Sequence, residues 1–106
     1  MVRQITPREL YASLQGPVRP VVLDVREAPE RAIARLAGAL EIPMGDVPRR
    51  LDEIPRDADV VVVCHHGMRS AQVAGFLVRE GYTRVANLAG GIDAWSLEVD
   101  PAVARY

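Results

Sequence analysis

Four consecutive valines, Val60–Val63, constrain the fold of this chain more than any other feature of its sequence. A strand with one solvated face alternates apolar and polar residues, whereas a strand covered on both faces is apolar throughout. A second short run, residues 21–25, has the same character, with Asp24 as its only polar residue. The two runs therefore predict a parallel sheet with helices packed on both faces.

Weaker strand candidates and helical segments alternate with these two runs. The additional strands are predicted at residues 39–42, at 84–88 and, as a short edge strand, at 3–5. Helices are predicted from the N-cap Thr6 to about residue 16, and at residues 29–36, 47–54, 70–80 and 91–97. This alternation predicts an open α/β domain with right-handed crossovers. At 106 residues, the chain is expected to form one domain over residues 1–106.

The cysteine count and the charge balance narrow the classes of function. Cys64 is the only cysteine, so no disulfide can form within the chain, and a free thiol suits a reducing compartment. The formal net charge is −1 and charges of both signs are interspersed, which does not favour a nucleic-acid or membrane partner. All 13 basic residues are arginine, which excludes lysine chemistry. The first residues lack the apolar core of a signal peptide, so a cytoplasmic location is expected.

Cys64 is predicted to lie where a buried strand ends and a turn leads into a helix. Ligands of such sheets bind at the carboxyl ends of the strands. Gly67 permits a tight reversal, and the helix predicted from Ser70 offers unpaired N–H groups and the positive end of its dipole. Together with the Arg69 cation, these groups favour a thiolate at Cys64. The alternative, a buried apolar cysteine, leaves the composition of the turn unexplained.

The chain resembles the single-domain rhodaneses, or thiosulfate sulfurtransferases, in four motifs that span nearly its whole length. The active-loop motif is Cys64-x-x-Gly67-x-Arg69-Ser70. The other three are Asp24-Val25-Arg26-Glu27 with Glu30, Gly38-Ala39 with Ile42-Pro43, and Asn87-Leu88-x-Gly90-Gly91-Ile92-x-Ala94-Trp95. The four motifs together are far more specific than any one of them. The resemblance implies a three-layer α/β domain in which helices flank a five-stranded parallel sheet.

The resemblance also implies a reaction and the residues that perform it. Cys64 would take sulfane sulfur from a donor such as thiosulfate, become a persulfide, and pass the sulfur to cyanide or a thiol. The loop around the persulfide would consist of His65, His66, Gly67, Met68, Arg69 and Ser70, and Arg69 would hold an anionic donor. Supporting roles are expected for Asp24, which either faces the site or bonds a neighbouring loop, and for Arg26 as an ion-pair residue. No metal or organic cofactor is expected.

Other functions fit parts of the pattern. One alternative is a relay module that accepts sulfur from a protein such as a cysteine desulfurase and delivers it to another protein. A cysteine phosphatase or an arsenate reductase is disfavoured because the phosphatase loop has the spacing Cys-x5-Arg, whereas Arg69 follows Cys64 at Cys-x4-Arg. A zinc site is disfavoured because one cysteine and two adjacent histidines supply too few ligands. His65 and His66 are expected either to tune donor binding or to be simply exposed.

Overall fold

The computed structural model describes residues 2–106 and contains a five-stranded parallel sheet with helices on both faces, which confirms the expected fold class. The strands are β1 (Arg3–Ile5), β2 (Val21–Asp24), β3 (Leu40–Glu41), β4 (Val60–Val63) and β5 (Val85–Leu88), in the order β1-β5-β4-β2-β3. The helices are α1 (Pro7–Leu14), α2 (Ala28–Ile33), α3 (Met68–Arg79) and α4 (Gly91–Glu98), with two 3₁₀ segments at Met44–Asp46 and Pro48–Glu53. No helix within residues 2–106 is long and apolar enough to cross a bilayer.

The valine run forms β4, the central strand of the sheet, and all four of its side chains are buried. Because successive side chains of a strand point to opposite faces, the run contributes to two separate cores. Val60 and Val62 pack in a cluster with Leu77 of α3, and the other two valines pack in a cluster with Trp95 of α4. This two-sided burial fixes the end of β4, and hence the position of Cys64, at the middle of the sheet.

Two predicted helical segments differ from the structure in type or in where they end. Residues 47–54 form a 3₁₀ segment rather than an α-helix, with a kink at Arg50. The Ile54 N–H donates to the Leu51 carbonyl oxygen at 3.0 Å, the i to i+3 bond of a 3₁₀ turn. The Tyr82 hydroxyl lies 2.7 Å from the Ile54 carbonyl oxygen and 3.1 Å from that of Leu51. The helix predicted to reach residue 36 ends at Ile33, and the next carbonyl, that of residue 34, accepts a bond from a buried arginine side chain.

Candidate active site

Cys64 directly follows the central strand β4 and is buried, with 1% of its surface exposed. The backbone N–H of Gly67 donates to Sγ at 3.1 Å, and the Ser70 hydroxyl oxygen lies 3.2 Å from Sγ. Gly67 has φ +105°, a left-handed conformation that favours glycine, and it is the N-cap of α3. The helix therefore begins at Met68, two residues earlier than predicted, and its N-terminal turn lies within the active loop.

The amino end of α4 binds two backbone carbonyl groups of the active loop. The Ile92 N–H donates to the Cys64 carbonyl oxygen at 2.8 Å, and the Asp93 N–H donates to the His65 carbonyl oxygen at 3.1 Å. Gly91 lies so close to the same two carbonyl groups that a Cβ at this position would overlap them. The active loop thus has the N-terminal turn of α3 at the Cys64 thiol and the amino end of α4 at its backbone carbonyl groups.

The environment of Cys64 favours the thiolate over the thiol. Burial raises the pKa of Cys64, but hydrogen bonds from the Ser70 side chain, from the Ser70 and Gly67 N–H groups, and the positive charge of Arg69 outweigh it, so the net pKa is lowered. A thiolate is the nucleophilic form of cysteine. The arrangement can therefore hold an attacking sulfur anion and stabilise a further sulfur atom bound to it.

The Ser70 hydroxyl connects the thiol to Asn87 on β5. It lies 2.5 Å from Asn87 Oδ1, while Asn87 Nδ2 donates to the Gly67 carbonyl oxygen at 3.1 Å and to Gln4 Oε1 at 3.0 Å. These two bonds fix the amide so that Oδ1 faces the hydroxyl. A hydroxyl has one proton, so Ser70 can donate to only one of these two acceptors at a time, and a thiolate at Cys64 is the stronger acceptor.

Arg69 lies at the rim of the loop and pairs with Glu30 of α2 through two parallel hydrogen bonds of 2.7 Å each. Glu30 also accepts bonds from the Glu27 N–H at 3.0 Å and from the Tyr106 hydroxyl at 2.9 Å. These contacts, with Arg69 first among them, outweigh burial and lower the pKa of Glu30 to about 2, and the pairing raises the pKa of Arg69. Glu30 is therefore ionised at neutral pH.

The two expected supporting residues form a buried ion pair. Arg26 and Asp24 are both fully buried, and the guanidinium donates to the two carboxylate oxygens at 3.0 Å and 2.7 Å. Arg26 also donates to the Ala34 carbonyl oxygen at 2.7 Å and to the Tyr106 hydroxyl at 3.1 Å. This pair reaches the active loop through Tyr106 and Glu30, so its contact with the site is indirect.

His65 and His66 differ in exposure. The half-buried His65 ring stacks between the rings of His66 and Tyr106, each at 3.9 Å between centroids, whereas His66 is exposed. Asp93 lies near both histidines, but it accepts a 2.9 Å bond from Arg105. A metal ion must lie in the plane of each imidazole that binds it, and two stacked rings cannot both meet that condition. The group therefore does not fit a metal ion.

Comparisons with known proteins identify the family. The family model of the rhodanese-like domain matches residues 6–98. The chain belongs to the rhodanese-like domain family. A sulfurtransferase from Allochromatium vinosum is 40% identical over 104 residues, which cover 98% of this chain and 97% of the relative. The thiosulfate sulfurtransferase GlpE of Actinobacillus succinogenes is 33% identical over 103 residues, covering 97% and 92%. A solved rhodanese-like domain protein from Staphylococcus aureus superposes with a TM-score of 0.86 at 30% identity over 99% of each chain.

The family assignment confirms the resemblance seen in the four motifs, but three side chains of the rhodanese-like site were not among the candidates. Asn87 and Glu30 belong to the motifs of the resemblance, but the sequence indicates no role for either. Asn87 is a polar residue within an apolar run, and Glu30 is one of several charged residues in its segment. Tyr106 lies in a segment with no clear periodicity, 76 positions from Glu30 and 80 from Arg26. The structure brings these three residues to the active loop.

Proposed function

We propose that this protein is a sulfurtransferase that carries sulfane sulfur as a persulfide on Cys64. The observation that carries the proposal is the thiol at the end of the central strand, in contact with the Gly67 N–H and the Ser70 hydroxyl, where burial is outweighed by donors that stabilise a sulfur anion. The family and the names of the relatives support the general reaction class.

The proposed reaction has two steps. In the first, the Cys64 thiolate attacks the outer sulfur of thiosulfate, the S–S bond of the donor breaks, and sulfite leaves with the electron pair. In the second, cyanide or a thiolate attacks the outer sulfur of the persulfide, and Cys64 is released as a thiolate. Charge and atoms balance in both steps, so no external oxidant is needed. The loop N–H groups and the Ser70 hydroxyl would stabilise the persulfide anion between the steps.

A single-turnover experiment tests this route. The protein is incubated with thiosulfate, freed of donor by desalting, and then mixed with cyanide. We expect one thiocyanate per protein molecule, and none from Cys64→Ser. Thiocyanate formation that requires both reagents to be present together would contradict a stable persulfide intermediate.

A second candidate function, a persulfide relay between proteins, is favoured by two observations at the rim of the loop. Met68 is 78% exposed and presents an apolar side chain beside the site. Arg69, the residue expected to bind an anionic donor, is already paired with Glu30. Steady-state kinetics separate the two functions: slow use of thiosulfate beside rapid sulfur uptake from a cysteine desulfurase would support the relay, and the reverse order would support the thiosulfate enzyme.

The same pairing argues against phosphatase or arsenate reductase chemistry. Those enzymes would require the loop arginine to offer an unbalanced positive charge to a tetrahedral oxyanion, but the charge of Arg69 is balanced by the Glu30 carboxylate, which binds two of its five N–H groups. Release of phosphate from an aryl phosphate by the wild type, absent in Cys64→Ser, would contradict this conclusion.

A further inference from the structure

The charges around the active loop are matched in pairs. Each arginine that contacts the loop or its supporting side chains binds a carboxylate: Arg69 binds Glu30, Arg26 binds Asp24, and Arg105 binds Asp93. The loop thus offers backbone N–H groups and a hydroxyl to an incoming donor, but the positive charges of these three arginines are already balanced.

The Arg69–Glu30 pair is fixed by more than its own two bonds. Glu30 accepts four hydrogen bonds in all, two from Arg69, one from the Glu27 N–H and one from the Tyr106 hydroxyl. A carboxylate has about four acceptor positions, so these contacts fill it. Arg69 cannot turn toward an anionic donor without leaving this carboxylate unpaired, and bidentate pairs of this kind are among the strong charge-assisted contacts.

We propose that Glu30 is a specificity-determining residue that acts through Arg69. By cancelling the charge of Arg69, it makes the site prefer persulfide donors that carry at most one negative charge over the thiosulfate dianion. This inference rests on the proposed function, because it concerns the donor that charges Cys64.

The sulfur transfer from such a donor balances without a further reagent. The Cys64 thiolate attacks the outer sulfur of a persulfide R–S–SH, the S–S bond of the donor breaks, and its electron pair leaves with RS⁻. Cys64 is left as Cys–S–SH, and the released thiolate takes a proton from solvent. The leaving group carries one negative charge, whereas the sulfite that leaves from thiosulfate carries two. Because the Arg69–Glu30 pair has no net charge to stabilise the leaving anion, transfer from a persulfide is hindered less than transfer from thiosulfate.

The test compares kcat/KM for two donors in wild type and Glu30→Gln. The donors are thiosulfate and the persulfide of N-acetylcysteine methyl ester, which has no charge outside its persulfide group. We expect Glu30→Gln to raise the thiosulfate-to-persulfide ratio by about tenfold, the size expected from one uncovered charge near the surface. Glu30→Asp keeps the charge and should keep the wild-type ratio. A proportional fall in both efficiencies would leave the ratio at its wild-type value and would count against the inference, because a role limited to structure lowers both equally.

Asp59→Asn is the matched control. Asp59 precedes β4, at the opposite end of the strand from Cys64, and it pairs with Arg84 at 3.1 Å on the surface. The substitution makes the same change in net charge and also uncovers an arginine, but far from the loop. We expect it to leave the donor ratio unchanged. An equal rise in Asp59→Asn and Glu30→Gln would overturn the inference, because the effect would then come from net charge alone.

A second measurement does not depend on any variant folding. If Glu30 balances the charge of Arg69, the site exerts no net attraction on the thiosulfate dianion that salt could screen. The kcat/KM of the wild type for thiosulfate should then change less than about twofold between about 0.05 and 0.3 M salt. A steep fall with salt would overturn the inference. An unchanged donor ratio in Glu30→Gln, with both donors still forming the Cys64 persulfide, would overturn the inference alone. Failure of both donors to form any persulfide in the wild type would overturn the proposed function itself.

Discussion

Substitution of Ser70 by alanine should shift the pH dependence of Cys64 reactivity to higher pH. The Ser70 hydroxyl lies 3.2 Å from Sγ and 2.5 Å from Asn87 Oδ1, and it can donate its one proton to only one of them. A hydrogen bond to a charged group contributes about 1.5–3 kcal/mol and a neutral one about 0.5–1.5 kcal/mol. The net preference of Ser70 for the thiolate is the difference between the midpoints of these ranges, about 1.2 kcal/mol, which corresponds to a change of roughly eightfold to tenfold in the thiolate-to-thiol ratio.

The assay is the rate of Cys64 alkylation by iodoacetamide as a function of pH. Because the lost donor stabilised the charged form, Ser70→Ala raises the pKa of Cys64, so alkylation below the wild-type midpoint should slow by about tenfold and converge with wild type at high pH. Ser13→Ala is the control, since it removes an exposed hydroxyl that donates to the Glu9 carbonyl oxygen at 3.0 Å, away from the loop. Superimposable pH profiles for wild type and Ser70→Ala would refute the reasoning.

Three further outcomes are expected. Asp24→Asn leaves the buried Arg26 charge without its partner and should lower the free energy of unfolding in urea by about 3–5 kcal/mol; a loss below about 1 kcal/mol would contradict this. The folded-state pKa of Glu30, about 2, lies below its unfolded value, so the ionised carboxylate stabilises the fold. Wild type should therefore have a higher free energy of unfolding than Glu30→Gln above about pH 4.3, and this difference should vanish as the pH falls through about 2. Urea unfolding at several pH values measures the difference, and a difference that does not depend on pH would disprove the prediction. Gly91→Ala places a Cβ against the Cys64 and His65 carbonyl groups and should lower both the melting temperature and the rate of sulfur transfer; wild-type values for both would show that the loop can move aside.

The parts of the fold that the sequence predicted are those set by local patterns. The valine run predicted β4 and its burial on both faces, because an uninterrupted apolar strand requires two covered faces. Because Cys64 directly follows that run, its sulfur was predicted to lie at the carboxyl end of the sheet. The start of α3 was predicted two residues late because Gly67 was expected to lie within the turn, whereas its left-handed conformation makes it the N-cap.

The parts that the sequence did not predict depend on contacts between distant elements. The charge of Arg69 was expected to face a donor, but its partner lies 39 positions away on α2, and no local pattern indicates which carboxylate an arginine meets. Tyr106 reaches Glu30 and Arg26 only because the C-terminal segment packs back across the site. The chemistry of the Cys64 nucleophile could therefore be predicted from the sequence, whereas the pairing of the charges around it could be seen only in the structure.

The most direct test of a persulfide on Cys64 is intact-mass analysis after incubation with a sulfur donor. Thiosulfate and the persulfide of N-acetylcysteine methyl ester should be used in parallel, so that donor preference does not hide the adduct. We expect a gain of one sulfur atom in the wild type, reversed by cyanide or a thiol and absent in Cys64→Ser. An unchanged mass with every donor, or an adduct that persists in Cys64→Ser, would contradict the assignment of Cys64 as the sulfur carrier.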